Sequence, residues 1–473
     1  MAAPSPTNTN LSQDGPAKTQ TSALVVITTL FFTWGFITCM NDILIPYLKE
    51  VFDLGYFQAM LIQFAFFGAY FIGSLVYFLI SIRQGDPISR IGYKNGILIG
   101  LGISAVGCAL FYPAAEFLIY GFFLGALFIL GLGFTMLQIA ANPYVARLGP
   151  AETASSRLNL AQAFNAFGTT IAPVIGGYVV FTFFAKEGVG GADAVKIPYL
   201  ILAAFFVLLA FWISRVDLPS IGESGSIEKD AGALRYPYLV LGGVAIFCYV
   251  GGEVTIGSII VNFFEELMGM QEAEASTYLS FYWGGAMIGR FLGAISLSGM
   301  QNKVRQYGLM ALAAVLTFGL LLFIGNRTNG ITFAEASPFL IFIALNFGAF
   351  LLGAGKPART LAVFASAAFV LLLVVIFSGG NIAFWSVLGI GLFNSIMWSN
   401  IFTLAIDDLG KYTSQGSSIL VMMILGGALI PPIQGLIADA SSVQPSFAVA
   451  LICYAYLCFY GLKGYQIGKT STE

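Results

Sequence analysis

The sequence has no histidine, and only 9% of its 473 residues are charged. Without histidine the chain lacks the commonest general base and metal ligand. A soluble domain carries about 25% charged residues, so most of this chain has no solvated face. The charge that is present nearly balances, with a net charge of −2. No basic tract suggests nucleic acid. Cysteine is also sparse. Cys39, Cys108, Cys248, Cys453 and Cys458 all lie inside apolar segments without CxxC spacing, which makes them packing residues rather than redox or metal groups. Residues 1–22 lack the charged start and cleavage site of a signal peptide. Their Pro, Ser and Thr content describes a disordered tail.

What the chain does have is hydrophobic length. It is 58% hydrophobic, with a mean hydropathy of +0.87. Crossing about 30 Å of hydrocarbon takes roughly 20 apolar residues, and such runs recur from end to end. They are expected near 24–48, 57–81, 95–112, 117–141, 158–184 and 197–213, then after a polar linker (214–236) near 238–264, 276–299, 307–325, 337–354, 360–378, 383–406, 416–438 and 446–462. That is an all-α polytopic membrane protein with fourteen spans. Lys and Arg fall on alternate loops. Arg83, Arg90 and Lys94, then Arg147 and Arg157, then the linker and four later loops lie on one side. The positive-inside rule places both termini in the cytoplasm.

The two halves repeat. Gly68 and Gly73 recur as Gly284 and Gly289, 216 residues on, and Gly96 pairs with Gly308. Gly168, Pro173 and Gly176 recur as Gly427, Pro432 and Gly435, 259 residues on. The offset grows by about 45 residues, which matches two short helices. Residues 337–378 are the expected insertion in a 6+6 plan, with repeats over 23–213 and 237–463 and a tail over 464–473. Their apolar faces place them at the periphery, away from any substrate. Parallel six-helix repeats around a midplane site describe the major facilitator architecture.

Two carboxylates stand at membrane depth, where charge costs about 2.5–3.5 kcal/mol on insertion scales. Asp42 in TCMNDILIPYL lies one turn beyond Thr38 and next to Asn41, far along the first span. Glu253 in YVGGEVTIGS lies at similar depth in the seventh, the repeat partner of the first. Such groups can carry a proton or give oxygen ligands to a small cation. Asp42 could instead snorkel toward Lys49, and Glu253 could pair with Arg290. Amides share helix faces at Gln138 and Asn142, at Gln162 and Asn165, and at Asn394 with Trp398. Asn262 adds a further amide in the seventh span. Amides offer donors and acceptors together, and an aromatic face suits the apolar side of a pyranose, so the pattern points to a polar, uncharged ligand. The bland alternative is hydrogen bonding between helices.

The strings WGF…MNDILIPYL, FQAMLIQFAFFGAYFIG, QIAANPYVARLGP, RLNLAQAFNAFG and LVMMILGGALIPPIQGLIAD resemble the fucose permease family of sugar symporters, over nearly the whole chain. The resemblance implies a proton-coupling role for Asp42 and sugar contacts for Gln162 and Asn165. That family has ETAANP where this chain has Gln138-Ile139-Ala140-Ala141-Asn142-Pro143, and glutamine where this chain has Glu253. Both departures resemble its glucose/galactose transporter branch, which implies a hexose substrate and either H⁺ or Na⁺ as driver. The motif-A loop of the wider superfamily is degenerate here (GDPISRIGYK, 85–94), as it is in fucose permeases.

The expectation is a monomeric hexose symporter of a bacterial-type inner membrane, surrounded by lipid, with no cofactor beyond its coupling cation. Coupling groups are Asp42, Glu253, Asn41 and Thr38. Sugar contacts are Gln138, Asn142, Gln162, Asn165, Asn262, Asn394 and Trp398. The missing carboxylate at 138 tilts the expectation toward Na⁺ over H⁺. Uptake of a deoxy-sugar such as fucose with H⁺, drug efflux and a membrane-embedded enzyme are the competing readings. An enzyme would need a nucleophile–base or metal constellation, which the sequence does not offer.

Overall fold

The structure is a computed structural model that describes residues 18–53, 56–177, 195–221 and 229–469. It is helical, with no strand among the described residues. Fourteen rods follow in order. The first six are α1 (Thr21–Val51), α2 (Tyr56–Gln84), α3 (Tyr93–Phe117), α4 (Tyr120–Arg147), α5 (Ala154–Gly177) and α6 (Lys196–Arg215). After the linker come α7 (Pro237–Met268), α8 (Glu272–Ser296), α9 (Lys303–Asn329), α10 (Phe333–Gly353) and α11 (Pro357–Phe377). The last three are α12 (Gly380–Ile406), α13 (Gly410–Ala440) and α14 (Val443–Leu462).

Twelve of these helices contain stretches long and apolar enough to cross a membrane by length and composition. The exceptions among the fourteen expected spans are α5 and α8. Their faces carry Ser155, Asn159 and Gln162 in one and Arg290 in the other, and such polar positions suit helices turned toward other helices rather than toward lipid.

Close backbone approach at glycine holds the rods together. A Cβ on Gly35 of α1 would overlap the carbonyl oxygen of Asn165 in α5, and one on Gly168 of α5 would overlap the carbonyl of Phe32 in α1. The second half repeats this seam, where Gly426 of α13 lies against the carbonyl of Phe247 in α7. Gly73 of α2 abuts Leu132 and Thr135 of α4. Gly289 of α8, 216 residues on, abuts Leu392 and Ser395 of α12, each 260 residues beyond its counterpart. The repeat of Gly73 as Gly289 is thus a repeat of packing, whereas Gly68 and Gly308 have open space where Gly284 and Gly96 are tightly packed.

The insertion does not sit where the glycine offsets placed it. In the first half α3 packs on α4, with Gly107 against Leu130, and on α6, with Phe111 stacked on Tyr199 at 3.8 Å. α11 repeats those contacts in the second half. Phe364 meets Phe393 of α12 at 5.6 Å, Gly461 of α14 abuts the Ala362 backbone, and Gln444 Nε2 of α14 donates to the Val375 carbonyl at 2.7 Å. α11 therefore packs as a third helix, although it falls within 337–378. α9 rests on α8, where Leu321 fills the notch at Gly284 and Gln306 Nε2 donates to the carbonyls of Ile295 and Ser296. α10 fastens to α12 through Asn346 Nδ2, which donates to the Leu392 carbonyl at 3.0 Å.

Polar contacts between the halves gather at the end of the bundle that carries the basic loops. Ser155 of α5 bonds to Thr403 of α12 at 2.6 Å, Ser156 donates to the Ala294 carbonyl of α8 at 2.5 Å, and Asn159 Nδ2 donates to Asn400 Oδ1 at 3.2 Å. The counterparts 259 residues on make the reciprocal contact. Ser414 of α13 donates to the Tyr93 hydroxyl at 3.3 Å, and Gln415 Nε2 donates to Ser81 Oγ at 3.0 Å. Gln415 also grips the linker, donating to the Asp230 carbonyl and accepting from the Ala233 amide, both at 2.9 Å. Buried Arg157 collects the carbonyls of Val145, Ala146, Gly149 and Pro150, which satisfies the last turn of α4.

Filling a glycine seam forces the helices apart, at a cost of about 1–3 kcal/mol for overpacking. Gly35→Ala and Gly426→Ala are each expected to lower the melting temperature of the purified protein in detergent by several degrees. Gly102→Ala and Gly125→Ala, where a Cβ meets nothing within 4 Å, are expected to leave it unchanged.

Candidate functional site: a buried carboxylate and its tyrosines

α7 carries the sequence YVGGE. One helical turn separates Tyr249 from Glu253 and puts both on one face. The Tyr249 hydroxyl donates to Glu253 Oε1 at 2.8 Å, and Glu253 is 9% exposed. Arg290 does not answer this carboxylate with an ion pair; its Nε donates to the Ser395 carbonyl at 3.2 Å. The direct donor to Glu253 is thus a neutral hydroxyl, with the Arg290 charge acting on it from beyond ion-pair distance.

Three other helices converge on the same segment. Tyr282 of α8 donates to the backbone carbonyl of Glu253 at 2.9 Å. Asn394 Nδ2 of α12 donates to the Tyr282 hydroxyl at 2.8 Å, and Tyr454 of α14 donates to Asn394 Oδ1 at 2.6 Å. Glycines make the convergence possible. Gly391, one turn before Asn394, overlaps the Tyr282 carbonyl if given a Cβ, and Gly252 lies against Tyr454. Immediately after Asn394 the helix breaks at Ser395 and Ile396 before resuming at Met397. The break frees the Ser395 carbonyl that Arg290 takes up. Arg290 was named from the sequence as a possible ion-pair partner of Glu253, but the three tyrosines were not, because Tyr282 and Tyr454 come from distant segments. Only Tyr249 was within reach of it, through its four-residue spacing from Glu253.

In the first half, Asn142 Nδ2 of α4 donates to Gln138 Oε1 at 3.4 Å, and Asn142 Oδ1 is buried with no hydrogen-bond partner among the described residues. Tyr70 of α2 is buried beside Gln138 and Trp34. On α5, Gln162 is 8% exposed and makes no hydrogen bond among the described residues, whereas Asn165 Nδ2 donates to the Phe31 carbonyl at 3.0 Å and fastens α5 to α1. Thr38 donates to the Trp34 carbonyl at 2.9 Å. Asn41 and Asp42 lie on α1, but their side chains fall outside the described residues.

In the second half, Trp398 Nε1 is buried without a hydrogen-bond partner among the described residues. Asn394 is fully buried and bonded at both ends of its amide, and Asn262 is exposed. The residues therefore fall into two sets, one around Gln138 with Trp34 and Tyr70, the other around Glu253 with Asn394. No group of three or more His, Cys, Asp or Glu that could hold a metal occurs among the described residues. A groove of about 480 Å³ between α11 and α14, lined by Arg359, Ser366 and Tyr465 among others, contains none of these side chains.

Comparison with known proteins gives the family. Residues 23–358 match the family model described as Major Facilitator Superfamily. The chain is 44% identical over 469 residues to a protein of Brucella abortus named glucose/galactose transporter, covering 96% of this chain and 99% of that one. It is 30% identical over 475 residues to the L-fucose-proton symporter of Escherichia coli, covering 94% of each. A solved structure described as a Major Facilitator Superfamily transporter, FucP, in the outward conformation superimposes with a TM-score of 0.72 at 28% identity, covering 93% of this chain and 98% of that one. The chain belongs to the Major Facilitator Superfamily, as a sugar transporter rather than an enzyme.

Proposed function

We propose that this protein imports a hexose, glucose or galactose, together with a proton, by alternating access between its two halves. The observation that carries the reading is Glu253, a buried carboxylate held by the Tyr249 hydroxyl with no cation bound to it among the described residues. A group in that setting can gain and lose a proton as its surroundings change. The substrate class follows the relative named glucose/galactose transporter. The preference for H⁺ follows the relative named L-fucose-proton symporter and replaces the tilt toward Na⁺.

Asp42 is proposed as the second coupling group, with Asn41 and Thr38 beside it. Gln138, Asn142, Gln162 and Trp398 are the proposed sugar contacts, since each has polar capacity left over or, for Gln138, neighbours that do. Asn165 and Asn394 are spent on helix–helix bonds and support the site from behind. Asn262, exposed more than two turns beyond Glu253, is left out.

All fourteen rods are proposed to span the membrane, with α5 and α8 lining the interior and both termini cytoplasmic under the positive-inside rule. The inserted pair is reassigned from 337–378 to α9 and α10. Repeats over 23–213 and 237–463 flank the linker at 214–236, and the transporter acts as a monomer among lipids. With the basic-loop end closed by the Ser155 and Gln415 contacts, the described state corresponds to an outward-open one, in keeping with the solved neighbour in the outward conformation.

Uptake of labelled glucose, galactose and fucose into proteoliposomes tests the substrate. Saturable uptake of glucose and galactose, with fucose at background, is expected. Fucose as the preferred sugar would favour the deoxy-sugar alternative.

Removing the amide of Gln162 strands its partner groups on the sugar. Gln162→Ala is expected to weaken binding by about 1–3 kcal/mol in calorimetric titration, with the melting temperature little changed. A loss of stability at unchanged affinity would assign Gln162 to packing. Glu253→Gln and Asp42→Asn keep shape while removing charge. Each is expected to abolish gradient-driven accumulation while retaining sugar exchange across the membrane.

A further inference from the structure

We infer that Tyr282 and Tyr454 are positioning residues of the transport cycle, acting through Asn394 to tie the Glu253 segment of α7 to the break in α12. The hydrogen bonds form a single series. Tyr454 donates to Asn394 Oδ1 at 2.6 Å, Asn394 Nδ2 donates to Tyr282 at 2.8 Å, and Tyr282 donates to the Glu253 carbonyl at 2.9 Å. Four helices contribute one residue each, and Tyr282, Asn394 and Tyr454 are all fully buried. Among the hydrogen bonds of this series Asn394 is the group that joins both tyrosines, so it links the Glu253 segment of α7 to α12 beside the direct contacts of Gly242 with Ala405 and of Phe264 with Phe384.

α12 is built to respond at that point. Its regular helix stops at Asn394 and resumes at Met397. Arg290 holds the Ser395 carbonyl released by the break, and Gly289 leaves room for Ser395 itself. Beyond the break, the same helix carries Asn400 and Thr403, which bond to Asn159 and Ser155 of α5 at the closed end. The series therefore starts at the backbone carbonyl of Glu253, the residue that carries the carboxylate, reaches the break and leads on to the helix whose far part makes the contacts at the closed end. A hydroxyl that merely filled space would not be aligned donor to acceptor over three consecutive bonds.

The inference rests on the proposed coupling role of Glu253, and its test separates the two. Tyr282→Phe and Tyr454→Phe each remove one oxygen. A control, Tyr456→Phe, removes a hydroxyl on the same α14 that donates to the Leu241 carbonyl of α7 at 3.1 Å, outside the series. Purified full-length variants in proteoliposomes are assayed for glucose or galactose exchange, for accumulation under an imposed pH gradient, and for melting temperature.

The two variants are expected to keep the KM of exchange within about twofold of the parent and to lower accumulation roughly three- to tenfold, the worth of one buried hydrogen bond. The double variant is expected to accumulate no less than the weaker single, because members of one series do not add. Tyr456→Phe is expected to accumulate normally. Unchanged accumulation in both variants, an additive double variant, a KM that rises in step with lost accumulation, or a melting drop in both without a transport split would each overturn the inference. If Glu253→Gln accumulates normally while the tyrosine variants do not, the coupling role of Glu253 falls and the positioning series stands.

Discussion

A carboxylate inside a bilayer must be stabilised by something, and what is chosen decides what the protein can do. A bound lysine or arginine would keep it charged and fixed. Here the Arg290 guanidinium donates to the Ser395 carbonyl and acts on Glu253 through its charge without an ion pair, and the hydrogen bond to the carboxylate comes from a tyrosine hydroxyl. A neutral donor lowers the cost of burial without preventing protonation. The remaining structure can be followed outward from that choice, because a tyrosine on one helix and a second tyrosine reaching the backbone from another require helices close enough to touch. Gly252 and Gly391 supply that closeness.

The same economy governs the closed end of the bundle. The contacts between Ser155, Ser156 and Asn159 on one side and Thr403, Ala294 and Asn400 on the other are between uncharged groups, as are the reciprocal bonds of Ser414 and Gln415. Each such bond contributes about 0.5–1.5 kcal/mol net, so the set is strong enough to hold one state and weak enough to be exchanged for another. The two groups sit at equivalent places in the two repeats, and Gln415 adds the linker to its side. Opening that end means releasing both groups together.

Much of this was legible in the chain. Fourteen helices fall where the hydropathic runs fell, and the glycine offsets of 216 and 259 correspond to matched helix seams. Glu253 was legible as an intramembrane acid without a lysine in range. What stayed hidden was tertiary. The Gly96–Gly308 match put the jump in offset after α9, but a Cβ on Gly96 would meet Ile88 and one on Gly308 would meet nothing within 4 Å, so that match was one of sequence and not of packing. Contacts of α11 with α12 and α14 are those of a third helix instead. The Gln138–Asn142 pair was read correctly as sharing a face, but nothing in the sequence showed that Asn394 would be consumed by two tyrosines from helices 60 and 112 residues away. Arg157 looked like one more basic loop residue and proved to be a buried cap on α4.

The central claim is that sugar moves with a proton that Glu253 can accept. The direct measurement is the external pH of a weakly buffered suspension of proteoliposomes when glucose or galactose is added with no imposed gradient and no sodium present. Sugar entering with protons makes the medium more alkaline, to an extent that rises with the sugar taken up and vanishes in Glu253→Gln. Sugar uptake with no change in external pH would contradict the account.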